Sequence, residues 1–153
     1  MAKQSAGILL YRKTSEGLQV FLVHPGGPFF KNKDDGAWSI PKGEYEVDEN
    51  PLDTAKREFE EETGKTVSGE FIALNAIKQK GGKTVLAWAV EGDIDPEAIK
   101  SNTFEIEWPP RSGKKQAFAE IDRGDWFDIA TAKVKINAAQ AALLDELNDR
   151  TDF

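Results

Sequence analysis

The chain has 153 residues, with 20 lysines and arginines against 27 aspartates and glutamates, one histidine and no cysteine. Its length suits a single domain over residues 1–153, and the absence of cysteine excludes disulfides and thiolate metal sites. The net charge of −7 argues against binding to nucleic acid or to acidic membranes, and no apolar run approaches the roughly 18 residues that span a bilayer.

The N-terminus bears on the location of the protein, and the single histidine limits the kinds of metal site that are possible. Residues 1–7 lack the basic, apolar and small-residue regions of a secretory signal, so we expect a cytoplasmic protein, monomeric or homodimeric. A lone histidine excludes any metal site that needs two imidazoles. A catalytic metal would therefore have to be bound by oxygen ligands.

The first elements are two strands and a loop. Residues 6–11 and 19–24 are rich in aliphatic side chains, and the polar residues around Gly17 between them predict a β-hairpin. The segment 24–36 is punctuated by proline and glycine, which predicts a long loop. Loops of about a dozen residues in compact domains are usually functional or disordered.

A helix is predicted over residues 51–63. Asn50 suits the N-cap, Pro51 suits the first helical position, and Gly64 is typical of a helix stop. Its apolar side chains recur at helical spacing and predict one buried face: Leu52, Ala55 and Phe59.

The second half predicts more strands and a final helix. Segments 70–77 and 84–90 resemble a hairpin closed by residues 80–83. Shorter strand signals occur at 104–108 and 126–129, and a last helix is expected from a cap near Asn137. Strands before, between and after two helices predict an α/β or α+β sandwich with a mixed sheet.

The end of the predicted helix 51–63 conflicts with helix electrostatics. Glu58, Glu60, Glu61 and Glu62 lie near its C-terminus, where a carboxylate is unfavourable by about 0.3–1 kcal/mol. Glu58 also meets Glu61 and Glu62 at helical spacing, opposed by Arg57. A divalent cation such as Mg²⁺ or Mn²⁺ would compensate such a cluster. The alternative is an ordinary solvated acidic face.

The spacing of these residues favours the first interpretation. The chain contains G-x5-E-x7-R-E-F-x-E-E-x-G, formed by Gly43, Glu49, Arg57, Glu58, Phe59, Glu61, Glu62 and Gly64. This pattern resembles the signature of the Nudix hydrolases. Lys65 departs from it, because the signature has an aliphatic residue there, and Phe59 occupies a position where an aliphatic is commoner. The resemblance implies an α/β/α sandwich with a mixed sheet between helices.

Nudix hydrolases cleave a nucleoside diphosphate linked to another group, and the resemblance implies a Mg²⁺-dependent pyrophosphohydrolase here, with Mn²⁺ as a possible substitute. Carried over by position, it implies that the metal ligands are the carboxylates of Glu58, Glu61 and Glu62 and the carbonyl of Gly43. It implies that Arg57 orients the glutamates with Glu49 as its partner. The general base differs among family members and is not assigned.

The family often adds a distant acidic ligand before a tryptophan segment. Glu120 is the candidate here and Asp122 the second choice, because both precede Trp126. The alternative is that both are ordinary loop acids.

The segment W-x-x-P-K-G, residues 38–43, resembles that of dinucleoside polyphosphate and diphosphoinositol polyphosphate hydrolases. Lys42 could hold a phosphate remote from the cleaved bond. A basic patch could bind further phosphates or be merely solvated: Arg111, Lys114 and Lys115. The favoured substrate is a dinucleoside polyphosphate, and the alternatives are a nucleoside triphosphate or a nucleotide sugar.

Aromatic side chains are candidates for stacking on a base: Phe29, Phe30 and Trp38. Core packing is favoured for Trp38, and a surface or loop-bonding role for His24. A different class of function is a non-catalytic nucleotide-binding regulator, which should have lost motif glutamates that this chain retains. An acidic calcium-binding module is disfavoured because the acids lie on a helix.

Overall fold

The computed structural model describes residues 4–79 and 81–150. Residues 1–3 of the N-terminal segment and Lys80 of the predicted turn lie outside the described residues. The elements are β1 (Gln4–Thr14), β2 (Gly17–Pro25), β3 (Lys42–Glu44), α1 (Pro51–Thr63), β4 (Ile72–Ala73), β5 (Ile77–Lys78), β6 (Thr84–Glu91), β7 (Thr103–Glu107), β8 (Lys115–Ala119), β9 (Ile121–Asp128), α2 (Ile129–Lys135) and α3 (Ala141–Arg150), with short 3₁₀ helices at Pro96–Ala98 and Ala138–Gln140.

Strand β1 is the centre of a mixed sheet. It pairs antiparallel with β2 and parallel with β6, and the short strand β3 pairs antiparallel with its first residues. Strand β9 extends the sheet beyond β2, and β4 and β5 pair with β6. Strands β7 and β8 form a separate antiparallel hairpin. The predicted mixed sheet is confirmed.

Helices cover both faces of this sheet, because side chains alternate between the faces of a strand. Ile8 and Leu10 of β1 pack in one cluster with Phe59 of α1. Leu9 on the same strand packs in a second cluster with Leu143 of α3 and with Ala132 of α2. The predicted α/β/α sandwich is confirmed. In the described part of the chain no helix is long and apolar enough to cross a membrane.

Helix α1 has the predicted ends. The Asn50 side chain accepts hydrogen bonds from the amides of Leu52 at 3.0 Å and Asp53 at 3.2 Å. Gly64 adopts a left-handed φ of 74°, a conformation that favours glycine. Ala55 and Phe59 are fully buried and Leu52 partly so, which fixes the angle of the helix on the sheet.

The predicted strand 70–77 is broken in the structure. Ala73 pairs with Trp88 and Ile77 with Val85, so one extra residue lies on the 73–77 side. The amide of Asn75 leaves the ladder and donates to the Glu146 carboxylate at 2.7 Å. The chain turns back where predicted, with the Gln79 amide bonded to the Lys83 carbonyl at 2.7 Å.

Two elements of the second half were not predicted. Strand β8 pairs with β7, which lies within one residue of the strand predicted at 104–108, and the β8 sequence K-Q-A-F-A has little alternation. Helix α2 begins at Ile129, which the prediction had placed in a strand, and Asp128 caps it by accepting from the Thr131 amide at 2.7 Å. Asn137 caps the 3₁₀ turn that leads into α3, near the predicted start of the final helix.

Candidate active site

The acidic end of α1 and Glu120 form one cluster of carboxylates. Burial raises the pKa of Glu62 to about 8, and the charges of Glu58 and Glu120 add to the rise. Burial and the neighbouring Glu61 raise the pKa of Glu58 and of Glu120 in the same way. These shifts show that the four carboxylates are close enough to oppose one another's ionisation.

Strand β3 lies against this cluster at Gly43. A β-carbon at this position would overlap the carboxylate of Glu58, so the motif glycine is required by close approach. The Glu58 side chain is 16% exposed. The strand and the helix therefore bring Gly43 beside the carboxylate of Glu58, a predicted metal ligand.

Arg57 contacts three glutamates of the motif. Its guanidinium lies 3.0 Å from Glu49, 3.5 Å from Glu58 and 3.8 Å from Glu61. Glu49 also accepts from the backbone amide of Glu46 at 2.9 Å. This amide and Arg57 lower the pKa of Glu49, and Glu49 in turn raises the pKa of Arg57. Both residues therefore have the neighbours that an orienting role requires.

Lys42 approaches the cluster from the first residue of β3. Burial and Lys83 lower the pKa of its ammonium, while Glu62, Glu44 and Glu58 oppose that shift. The backbone amide of Lys42 also donates a hydrogen bond to Glu62. A partly desolvated cation thus lies beside the most strongly perturbed carboxylate.

The backbone of Asn102 connects Glu120 to α1. Its amide donates to the Glu61 carbonyl at 2.8 Å, and its own carbonyl accepts from the Glu120 amide at 2.8 Å. The Ser101 hydroxyl adds a bond from the Ile121 amide at 3.0 Å. Sequence analysis missed both residues. The bonds of Asn102 are main-chain bonds, which leave no signal in residue type, and a single serine hydroxyl at Ser101 is too common to form a pattern.

A cleft of about 250 Å³ opens between these elements. Its polar wall contains Lys42, Glu62 and Glu120, and its apolar wall contains Ile40 and Ile121. Residues separated by 78 positions in the chain therefore share one cavity. Phosphate oxygens and a hard divalent ion are the species that such a donor set suits.

The donor set of the cluster suits Mg²⁺. Clustered carboxylates with a nearby carbonyl are the oxygen ligands that this ion prefers, and burial and neighbouring carboxylates raise the pKa of Glu58 and of Glu62. Within residues 4–79 and 81–150, no three carboxylates yet converge on one point at ligand distance. The glutamates contact the Arg57 guanidinium and the backbone amide of Lys42 instead.

Comparison with protein families decides the assignment of the fold and motif. A model described as the NUDIX domain matches residues 1–147. The chain belongs to the Nudix family.

Individual relatives match over parts of their length. The asymmetrical bis(5'-nucleosyl)-tetraphosphatase of Rattus norvegicus is 40% identical over 67 residues, 39% of this chain and 46% of that protein. An octanoyltransferase of Myxococcus xanthus is 31% identical over 97 residues, 63% of this chain and 24% of that protein. The chain thus spans less than half the length of either relative.

Solved structures show the same fold. A C. elegans Ap4A hydrolase in a binary complex superposes with a TM-score of 0.65 at 20% identity, covering 97% of this chain and 96% of that one. The NUDIX domain of Shewanella oneidensis NrtR, complexed with ADP ribose, gives 0.65 at 17% identity, covering 98% and 88%.

Two candidate residues of this Nudix chain, Trp38 and His24, bond to the loop that precedes the motif. Trp38 is 4% exposed, and its ring is covered by His24, Phe127 and Arg123. Its indole N–H donates to Asp34 at 2.8 Å. The prediction that Trp38 contacts substrate is therefore wrong for this arrangement, because no face of the indole is free for a base; the favoured alternative, core packing, is what the structure shows.

His24 is also buried, which excludes the surface role considered for it. Its Nε2 donates to the Lys33 carbonyl at 2.6 Å, and its Nδ1 lies 2.9 Å from Asp122. The loop-bonding role is confirmed. Asp122, the second choice for a metal ligand, is thereby engaged with His24 and absent from the acidic cleft.

The other predicted substrate contacts lie away from the glutamates. Phe29 is 64% exposed and meets the edge of Trp108 with ring centres 5.6 Å apart. Arg111 and Lys114 belong to the exposed turn between β7 and β8. Phe30 stacks under the Lys33 ammonium at 5.6 Å. The structure thus separates the acidic cleft from a second, aromatic and basic region.

Proposed function

We propose that the chain hydrolyses a pyrophosphate bond in a nucleoside diphosphate linked to another group, and that it requires a divalent metal ion. The observation that carries the proposal is the cleft shared by Lys42, Glu62 and Glu120. The cleft joins the motif helix to an acid far along the chain, and burial raises the pKa of both Glu62 and Glu120. Membership of the Nudix family supports the same reaction.

The proposed metal ligands are the carboxylates of Glu58, Glu61, Glu62 and Glu120, with the carbonyl of Gly43. Mg²⁺ is the preferred ion and Mn²⁺ a substitute, because both accept oxygen ligands. Bound there, a divalent ion withdraws charge from phosphoryl oxygens and lowers the pKa of a coordinated water.

The residues of the chain supply the remaining functions. Arg57 fixes the glutamates through its contacts with Glu49 and Glu58, so their oxygens are oriented before substrate arrives. Lys42 carries a positive charge into the cleft and is proposed to bind a phosphate that is not the one attacked. The apolar side chains of Ile40 and Ile121 exclude water from one wall.

A dinucleoside polyphosphate is the preferred substrate. The supporting observations are the likeness to the rat tetraphosphatase and to the C. elegans Ap4A hydrolase, together with Lys42 in the W-x-x-P-K-G segment. A nucleoside triphosphate or a nucleotide sugar is the second choice. We further propose a single cytoplasmic domain, monomeric or homodimeric, that binds neither nucleic acid nor membranes, as the net charge of −7 favours.

The test is a substrate panel with Mg²⁺, Mn²⁺ or a chelator. It contains dinucleoside polyphosphates, nucleoside triphosphates, ADP-ribose and diphosphoinositols, with products identified by mass spectrometry. We expect metal-dependent hydrolysis that is fastest with a dinucleoside polyphosphate. No hydrolysis of any member would contradict the enzymatic proposal and favour a nucleotide-binding regulator.

A further inference from the structure

Gln140 is a buried polar side chain to which the proposed reaction assigns no role. It ends the 3₁₀ turn Ala138–Gln140 and is 1% exposed. The turn leads directly into α3, which packs on the face of the sheet opposite α1. Burial of an amide is costly unless the amide is hydrogen-bonded. The partners of Gln140 therefore show what this side chain holds in place.

Three hydrogen bonds join the Gln140 side chain to residues far away in the chain. Its Oε1 accepts from the backbone amide of Ile40 at 3.1 Å. Its Nε2 donates to the Ser39 hydroxyl at 3.0 Å and to the side-chain carbonyl of Gln79 at 3.3 Å. The orientation of the amide is fixed, because the N–H of Ile40 can only donate and therefore requires an oxygen.

The segment 38–41 that Gln140 contacts bridges β1 and β2. Ser39 exchanges two backbone hydrogen bonds with Val23 of β2, at 2.9 and 3.0 Å. The Pro41 carbonyl accepts from the amide of Ile8 in β1 at 3.1 Å. The segment thus takes the place of a strand between the two, and it continues into β3.

Gln140 supplies an acceptor to this segment that the strands do not supply. The residues on either side of Ile40 are bonded to β2 and β1, whereas the amide of Ile40 is bonded to the Gln140 side chain. The Ser39 hydroxyl, which accepts from Nε2, donates in turn to the Ile40 carbonyl at 2.7 Å. One side chain therefore fixes both polar groups of the Ile40 backbone, the amide directly and the carbonyl through Ser39.

The turn that carries Gln140 is anchored to the same segment by main-chain bonds. The Trp38 amide donates to the Lys135 carbonyl at 3.0 Å, and the Trp38 carbonyl accepts from the Asn137 amide at 2.7 Å. The carbonyl of Asn137 then accepts from the amide of Gln140 at 2.8 Å. The backbone of Gln140 is thus held at a fixed distance from the segment that its side chain contacts.

The contacts of Gln140 lead to the acidic cleft. Ser39 and Ile40 both line it, and Lys42 follows Ile40 by two residues and lines it as well. Residues two apart in an extended segment are about 7 Å apart. Pro41 lies between them, and its ring fixes the backbone angle φ. A displacement of the Ile40 backbone is therefore passed on to Lys42.

The contact with Gln79 reaches the turn that precedes β6. The Gln79 amide donates to the Lys83 carbonyl at 2.7 Å. The Lys83 ammonium lies 3.4 Å from Glu44, the last residue of the strand that begins with Lys42. Gln140 is therefore bonded to the two segments that meet at this strand.

We propose that Gln140 is a positioning residue that holds Lys42 in the acidic cleft, an inference that rests on the proposed binding of a phosphate by Lys42. Gln140 acts through the backbone of Ile40. An apolar side chain of the same length would fill the space but leave the Ile40 amide without its acceptor. The segment would then move toward another acceptor, and the Lys42 ammonium would move with it.

The experiment is a double-mutant cycle with Gln140→Met and Lys42→Gln, measured as KM and kcat for the panel substrate that is hydrolysed fastest. Gln140→Met keeps the length of the side chain and removes its hydrogen bonds. We expect KM to rise about tenfold and kcat to change less than about threefold, since a phosphate that is not attacked is bound equally in substrate and transition state. Lys42→Gln alone should raise KM at least as much. In the Lys42→Gln background, Gln140→Met should cause no further rise, because the residue that it positions is gone.

The matched control is Leu144→Ala. It removes buried packing from α3 and leaves the hydrogen bonds of Gln140 in place. Urea unfolding should show a loss of stability at least as large as that of Gln140→Met, with KM unchanged. The inference would be overturned by an equal rise of KM in Leu144→Ala, by an unchanged KM in Lys42→Gln, or by effects of Gln140→Met and Lys42→Gln that are fully additive.

A second variant, Ser39→Ala, tests the same contact if Gln140→Met fails to fold. It removes the hydroxyl through which Gln140 reaches the Ile40 carbonyl and keeps the backbone bonds to Val23. KM should rise several-fold in the wild-type background and stay unchanged in the Lys42→Gln background. An equal rise in both backgrounds would contradict an action through Lys42.

The two proposals fail separately. Calorimetry with inorganic tripolyphosphate and Mg²⁺ measures the phosphate contact without hydrolysis of a nucleotide. Weaker binding in both single variants and no further weakening in the double variant, with no panel member hydrolysed, would overturn the proposed reaction and keep the positioning role. Hydrolysis of a panel member with additive effects on KM would do the reverse.

Discussion

Helix α1 and the helices on the opposite face of the sheet end differently. Helix α2 has Lys133 and Lys135 in its last turn, and they pair with Asp145 and Asp34 at 2.7 Å. Helix α3 ends on Arg150, which lies 2.8 Å from Glu146. Helix α1 has no basic residue in its last turn. Two helices thus follow the macrodipole rule and the third departs from it.

The departure is confined to one end of α1. Its first turn follows the same rules as α2, because Asn50 and Asp128 each cap a helix through a side-chain oxygen. The helix also buries a regular apolar face. The acidic end is therefore a local exception in an otherwise regular helix. Such an exception is expected at a functional site, where residues are selected for chemistry at some cost in stability.

The largest expected effect is on hydrolysis by Glu61→Gln and Glu62→Gln. Each removes a proposed metal ligand while keeping the size of the side chain, so kcat/KM should fall by about 10²–10³. Glu60→Gln is the matched control, because Glu60 is exposed on the same helix. Near-normal turnover in both test variants would show that the acidic end of α1 is not explained by metal binding.

Arg57→Gln should have a smaller effect on the same reaction. It leaves the carboxylates in place but removes the group that orients Glu49, Glu58 and Glu61, and lost orientation around a metal site costs about 10–100-fold. Steady-state kinetics over a range of Mg²⁺ concentrations measures it. Lys56→Gln, one position earlier on the helix, is the comparison, and an equal loss in that variant would contradict a specific role for Arg57.

The pH dependence of stability sharpens the comparison further. The pKa of Glu62 is about 8 in the folded chain, above its ordinary 4.5. Between these two pH values the folded state keeps a proton on Glu62 that the unfolded state has released. This contribution to stability is complete below about pH 4.5 and is lost as the pH rises through about 8.

We therefore expect the metal-free wild-type protein to lose stability between pH 5 and pH 8 relative to Glu62→Gln, by about 3–4 kcal/mol. Urea unfolding in chelator measures the difference, with Glu60→Gln as control. Added Mg²⁺ should restore wild-type stability at pH 8, because an ion bound to the folded state stabilises it. Parallel pH profiles of stability for wild type and Glu62→Gln would show that folding does not raise the pKa of Glu62.

The smallest effect is expected on the opposite face of the sheet. Arg150→Gln removes an ion pair at helical spacing between a half-exposed guanidinium and the mostly buried Glu146 carboxylate; such a pair contributes about 0.3–0.5 kcal/mol, and hydrolysis should be unchanged. Thermal unfolding and kinetics measure the two results. A loss of activity comparable to that of Arg57→Gln would show that the two faces are not separate in function.

Sequence patterns predicted the features that local chemistry determines. Asn50, Gly64 and the apolar spacing defined α1, and the glutamate spacing located the acidic end of the site. Features that depend on distant partners could not be predicted. The break near Asn75 is caused by Glu146, and the burial of Trp38 depends on Phe127.

Asp128 lies between these two cases, because its local signal was present but ambiguous. It is a good helix cap, and this signal could have revealed α2, but the apolar residues around it have the composition of a strand. Glu120 was selected through the family resemblance. Its contact with the helix runs through the backbone of Asn102, which no residue pattern encodes.

The Asn102 bridge also bears on the order in which the site is assembled during protein synthesis. The ribosome completes the glutamate helix before it adds Asn102 and Glu120, and β6, the parallel partner of β1, is also made between the two. A nascent chain that has reached Gly64 therefore contains the whole signature motif but lacks the fourth carboxylate. Glu120 joins the other acids after most of the core strands exist, so the crowding of negative charge is postponed to a stage at which burial of the sheet can offset it.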